Sequence, residues 1–184
     1  MIQLGEQPER VFNVGAIGLD NFQSLQLLSK RELEEDLHIT FHTYNYLVGF
    51  HPETLSDQSV EEQFEALLQA IDMQIDSFFV FSKANADTNG RIINQMMAAY
   101  VKKNPEKSAL FASLGSLRYL SVMKQVTAVV GNSSSGILEA PSAGTATINI
   151  GDRQKGRIQA ESIVNCSSQK EDIIRAFHKV QSEE

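Results

Sequence analysis

At 184 residues, 42% apolar and 21% charged, the chain can bury one core and has the composition of a globular domain, which excludes fibrous and disordered classes. A formal net charge of −7 excludes general nucleic-acid binding, which needs Lys and Arg to neutralise phosphates, yet allows one small phosphorylated ligand held by backbone N–H groups and a few arginines. No apolar run reaches the roughly 18 residues of a membrane span, and Met1-Ile2-Gln3-Leu4-Gly5-Glu6 lacks the layout of a secretion signal, so a cytoplasmic location without membrane contact is expected. The one cysteine, Cys166, has no disulfide partner and no metal-ligand spacing around it. It ends an apolar stretch that reads as a buried strand, where a thiol is inert.

Taken in chain order, residues 10–14 read as a strand and 15–18 as a loop. Residues 20–37, with Leu25, Leu28, Leu33 and Leu37 among charges, read as one broken helix or two short ones. Residues 44–50 form the next strand, stopped at His51-Pro52 because the residue before proline avoids the helical region. Residues 59–71 carry Val60, Phe64, Leu67, Leu68 and Ile71 at helical spacing. Phe78-Phe79-Val80-Phe81 is an unbroken apolar run, the mark of a strand covered on both faces. Helix 89–103, strand 109–111, helix 117–124 and strand 126–130 follow. A helix over 134–143 contains Pro141, which should bend or shorten it. Strands at 146–150 and 162–165 and a helix at 171–180 complete the chain. This alternation predicts a Rossmann-like α/β domain, a parallel sheet flanked by helices. Residues 1–36 fit that rhythm less well and read as a hinge or linker segment with an interdomain helix, leaving 37–184 as the ligand-binding domain.

Parallel sheets bind ligands at the C-terminal ends of their strands, and four segments follow strands there. The first, Gly131-Asn132-Ser133-Ser134-Ser135-Gly136 with Glu139 one turn on, runs through small polar residues into a helix. Two readings are open: the serines and first-turn N–H groups receive a phosphate, or Ser133 or Ser134 caps the helix and does nothing else. The segment is neither a P-loop nor a dinucleotide fingerprint, and it lacks the second glycine of a nucleophile elbow. The second, Gly151-Asp152-Arg153-Gln154-Lys155-Gly156-Arg157, is a basic loop in an acidic chain, suited to forked contacts with phosphate. The third holds His51, either a hydrogen-bond donor to phosphate or an idle loop histidine. In the fourth, 82–90, Thr88 or Asn89 caps a helix while Asn85 is left to face the cleft.

Together these residues resemble the hydrolysing UDP-N-acetylglucosamine 2-epimerases of sialic acid and related nonulosonic acid biosynthesis. The resemblance rests on the Gly131–Gly136 loop with Glu139, on Asn149-Ile150-Gly151-Asp152-Arg153-Gln154-x-Gly156-Arg157, on His51-Pro52, and on Gly15-Ala16-x-Gly18-x-Asp20-Asn21. Non-hydrolysing relatives usually carry an Asp-Ser-Gly-Gly loop followed by Gln-Glu-Glu, and the Asn-Ser-Ser form here favours the hydrolysing branch. The resemblance implies the C-terminal half of a two-domain GT-B enzyme, with the nucleotide sugar held between two Rossmann-like halves. It implies that Ser133, Ser134, Glu139 and Arg153 contact UDP, that His51 approaches the diphosphate and steadies the leaving group, and that Asn85 lies near it. Leu114 and Tyr119 would belong to the wall beside uracil. The partners implied are UDP or a UDP-N-acetylhexosamine, the enzyme's own N-terminal domain and a second copy in a homodimer; no cofactor or metal is expected. The N-terminal domain would supply the acidic residues that remove the C2 proton, so this chain alone should bind but not turn over. A donor-binding domain of a GT-B glycosyltransferase and a non-catalytic nucleotide-sugar-binding module are the alternatives.

Overall fold

The computed structural model describes residues 1–53, 58–84 and 88–182. After three short 3-10 turns come α1 (Asn21–Ser24), α2 (Lys30–Leu37), β1 (Tyr44–Gly49), α3 (Val60–Asp72), β2 (Ser77–Ser82), α4 (Thr88–Lys103), β3 (Ser108–Phe111), α5 (Gly115–Gln125), β4 (Ala128–Gly131), α6 (Ser134–Leu138), α7 (Ala140–Ala143), β5 (Ala146–Ile150), β6 (Ile163–Cys166) and α8 (Lys170–Ser182). The strands form one six-stranded sheet in the order β3-β2-β1-β4-β5-β6, and every pairing is parallel. This is the doubly wound Rossmann-like arrangement that the alternating pattern predicts.

The strands are apolar because both faces are covered. Tyr46, Val48, Phe79 and Phe81 point into a cluster with Phe64, Leu67 and Ile71 of α3, Ile93 and Met97 of α4 and Phe177 of α8. Their neighbours Leu47, Phe78, Val80 and Val129 point the other way, onto Leu33 and Leu37 of α2 and Val122 and Met123 of α5. The period-two alternation of a strand thus feeds two cores, one on each face. Tyr46 stacks on Phe79 with centroids 5.0 Å apart, and Phe177 meets Tyr46 edge-on at 5.0 Å.

Helix starts are set locally. Ser29 with Glu32, and Ser59 with Glu62, form reciprocal capping boxes at the N-termini of α2 and α3, satisfying first-turn N–H groups that the helix leaves orphaned. Residues 20–37 resolve into two short helices, α1 and α2. Arg118 of α5 grips Asp36 of α2 through a two-pronged contact, Nε to Oδ2 at 2.6 Å and Nη2 to Oδ1 at 2.9 Å.

Two expectations are corrected. The strand expected at 10–14 does not form. Residues 8–10 make a 3-10 turn, and beyond it Phe12 and Val14 are 77% and 70% exposed. A strand needs a ladder partner for its backbone and a surface for its apolar side chains, and this segment joins no sheet among the described residues. The helix expected over 134–143 is two, α6 and α7, with Glu139 at the joint. Pro141 lacks the N–H that a continuous helix would use, so it sits within the first two residues of a new helix, where no such bond is needed.

Candidate functional site

The strand order reverses between β1 and β4, so the chain leaves their C-terminal ends in opposite directions and opens a crevice there. Gly49 and Gly131 face each other at that point. Gly131 holds φ at 130°, and a Cβ on it would lie 2.1 Å from the Gly49 carbonyl oxygen, so no side chain fits. The two strand ends therefore come close enough for the residues after them to bond.

Those bonds centre on Asn132, which is 1% exposed. The His51 N–H donates to Asn132 Oδ1 at 2.7 Å, and Asn132 Nδ2 donates back to the His51 carbonyl at 2.9 Å. The Asn132 carbonyl receives Arg153 Nη1 at 2.9 Å and the buried Gln154 Nε2 at 2.8 Å. One amide side chain and its own carbonyl thus hold together the loops after β1, β4 and β5. Arg153 is otherwise exposed, and a guanidinium with one N–H committed to a carbonyl retains others for an anion.

The serine loop is ordered by hydroxyls. Ser133 caps α6 and accepts the Ser135 N–H at 3.4 Å. Ser135 Oγ donates to Ser133 Oγ at 3.0 Å, and the Tyr119 hydroxyl lies 2.6 Å from Ser135 Oγ. Ser134, the first residue of α6, is half-buried.

Two cavities flank this loop. One, of about 290 Å3, is lined by Leu114, Gly115, Tyr119, Glu139 and Asn21, near the small end of the roughly 300–1,000 Å3 of ligand pockets. Buried Leu114 supplies an apolar floor, and half-buried Glu139 faces the cavity from the joint between α6 and α7. Burial pushes the Glu139 carboxyl above the ordinary carboxylate range. Glu139 Oε1 lies 3.7 Å from where a side chain on Gly18 would begin, so the segment 15–21 closes over this side. The other cavity, about 1270 Å3, lies towards β5 and β6 and is lined by Arg153, Lys155, Arg157, Asn149 and Asn165. Cys166 borders it, its thiol pushed up to about 12, by burial first and then by Asp172, so it stays protonated near neutrality. Among the described residues no group of three His, Cys, Asp or Glu side chains has metal-binding geometry, and no helix is long and apolar enough to cross a membrane.

The residues singled out from sequence are therefore placed as follows. His51, Ser133, Ser134 and Arg153 converge on the crevice between β1 and β4. Leu114, Tyr119 and Glu139 share the smaller cavity beside it. Asn85 lies outside the described residues. Sequence reasoning assigned no role to Asn132, Gln154, Ser135 or Asn21. Asn132 and Gln154 stood inside the motifs, but only the pairing of β1 with β4 shows that they tie those motifs together.

The fold agrees with comparisons to known proteins. The family model described as UDP-N-acetylglucosamine 2-epimerase matches residues 1–184. The chain is 41% identical over its whole length to a GDP/UDP-N,N'-diacetylbacillosamine 2-epimerase (hydrolyzing) of Campylobacter jejuni, covering 47% of that protein. It is 42% identical to a polysialic acid biosynthesis protein of Escherichia coli, covering 46% of it. It spans about half the length of the curated relatives it matches. Among solved structures, the UDP-GlcNAc 2-epimerase of Methanocaldococcus jannaschii in complex with UDP-GlcNAc and UDP superposes with a TM-score of 0.72 at 17% identity, over 100% of this chain and 51% of that one. A sucrose-phosphate synthase of Thermosynechococcus elongatus matches more distantly, with a TM-score of 0.57 at 13% identity, over 85% of this chain and 41% of that one. The chain belongs to the UDP-N-acetylglucosamine 2-epimerase family.

Proposed function

We propose that this chain is the UDP-binding, C-terminal half of a hydrolysing UDP-N-acetylhexosamine 2-epimerase. The observation that carries the reading is that Asn132, the residue before the serine loop, ties the His51 backbone and the Arg153 guanidinium to that loop, beside a cavity bearing Glu139. The diphosphate lies against the serine loop, Arg153 and His51, while the ribose hydroxyls donate to Glu139. Uracil lies against Leu114 in the smaller cavity. The hydrolysing assignment is supported by the name of the Campylobacter jejuni relative and by the Asn-Ser-Ser form of the loop.

In the complete enzyme an acidic group of the N-terminal half removes the C2 proton, and the C1–O bond to the diphosphate breaks. The electron pair leaves with UDP, and a C1–C2 double bond forms. Water then adds across that bond, its oxygen to C1 and a proton to C2 on the opposite face, giving the 2-epimeric free sugar. This half's part is to hold the departing diphosphate, whose growing charge Arg153 and His51 offset. Residues 1–36 serve as the linking segment, with α2 anchored on α5 by Arg118. The complete enzyme acts in the cytoplasm as a homodimer, and this chain alone binds UDP without turnover.

Titration calorimetry with UDP tests the reading. Charge-assisted hydrogen bonds contribute about 1.5–3 kcal/mol each, so Arg153→Ala should weaken UDP binding roughly tenfold or more. Ser133→Ala/Ser134→Ala should weaken it as well. UDP binding that ignores all three substitutions would place the nucleotide elsewhere.

A further inference from the structure

We propose that Tyr119 is a positioning residue whose hydroxyl, acting through Ser135, makes Ser133 an obligate hydrogen-bond donor to the bound diphosphate. The proposal rests on the UDP-site reading above and gives Tyr119 a different part from the wall beside the base.

A serine hydroxyl has one hydrogen to donate and two lone pairs to accept with. Ser135 Oγ points its hydrogen at Ser133 Oγ, 3.0 Å away. In the 2.6 Å contact with Tyr119 it therefore has no hydrogen left, so the tyrosine O–H is the donor. Ser133 Oγ then accepts twice, from the Ser135 hydroxyl at 3.0 Å and from the Ser135 N–H at 3.4 Å. Both its lone pairs are engaged, and its own hydrogen is the group it has to offer. An anion needs that polarity, because its oxygens only accept. Left to rotate freely, Ser133 could present a lone pair to the phosphate and repel it.

The chain of hydroxyls runs one way, from Tyr119 through Ser135 to Ser133, and each bond polarises the next. Its surroundings keep it so. Ser135 is 8% exposed, which shields the middle of the chain from competing water. Burial, and then the nearby Glu139 charge, push the Tyr119 hydroxyl above the ordinary tyrosine range, so it remains a donor well past neutrality. Were Tyr119 to ionise, it would accept from Ser135 and the direction would reverse. A phenylalanine would fill the same space and leave Ser135 free to turn away.

The test is binding of UDP by calorimetry and of uridine by ligand-observed NMR to the full chain, comparing wild type with Tyr119→Phe and Ser135→Ala. The relay predicts that Tyr119→Phe weakens UDP about fivefold, the net worth of one neutral hydrogen bond, and weakens uridine by clearly less. Ser135→Ala should lower UDP affinity at least as far, and the double variant should lose no more than Ser135→Ala alone, since both act on one chain. Wild-type UDP affinity in Tyr119→Phe and in Ser135→Ala would overturn the relay and leave the UDP site standing. An equal loss for UDP and uridine would also overturn it, making Tyr119 a contact for the nucleoside. Failure of the wild-type chain itself to bind UDP would instead overturn the UDP-site reading, and the relay with it.

Discussion

Glu139 carries opposite demands. In the free protein its carboxyl is half-buried, and burial alone raises its proton affinity above that of an unfolded glutamate. A raised carboxyl stabilises the fold fully below the unfolded range, and that contribution is lost as pH rises through the raised folded value. Ionised Glu139 is thus a liability for stability near neutral pH, and Glu139→Gln should raise the melting temperature at pH 7 to 8. The gain should vanish when the same melts are run at about pH 4, where the wild-type side chain is itself largely protonated. Ribose hydroxyls, however, need an acceptor, and the proposed contact favours the carboxylate. The same substitution should therefore weaken UDP binding while it stabilises the protein, a pairing that isothermal titration and thermal melts on one preparation can check. A stabilised variant that binds UDP as well as wild type would remove Glu139 from the site.

At the scale of elements, α6 lies hard against β5. Gly136 sits inside α6, and a Cβ there would meet Thr147 Cγ2 at 2.8 Å, while Thr147 Oγ1 donates to the Gly136 carbonyl at 2.7 Å. Alanine is the better helix former, yet Gly136→Ala should destabilise the domain by about 1–3 kcal/mol through overpacking. Thr147→Ser, which keeps the hydroxyl and removes the clashing methyl, should recover most of that loss in a denaturant-unfolding double-mutant cycle. Most of the element pattern was legible beforehand because apolar runs such as Phe78–Phe81 report burial on both faces directly. The strand expected at 10–14 shows the limit of that signal, since β-type residues describe a potential pairing without naming a partner. Pro141 foretold the break that leaves Glu139 exposed to the cavity, because the missing N–H is a local property. The Asn132 clamp was hidden, since it depends on the register of β1 against β4, a pairing of strands far apart in the chain.

Across the whole molecule, the two cores on either face of the sheet form a platform, and the proposed site lies in the loops at one edge. The order reversal between β1 and β4 explains why residues as distant in sequence as His51, Ser133 and Arg153 share one crevice. That four motifs each follow a strand was readable from sequence, and so was their common edge. The division into two cavities, one holding Glu139 and one ringed by Arg153, Lys155 and Arg157, required the packing of α5 and of the loop after β5. The central claim is that UDP binds at this switch point, and an amide 1H–15N correlation spectrum of the labelled chain titrated with UDP tests it most directly. The account predicts saturable shifts concentrated at Gly131 to Ser135, at Leu114 to Tyr119, at Glu139 and in the Arg153 loop, with α3 and α8 silent. Shifts centred on α3 and α8, or an unchanged spectrum at millimolar UDP, would contradict it.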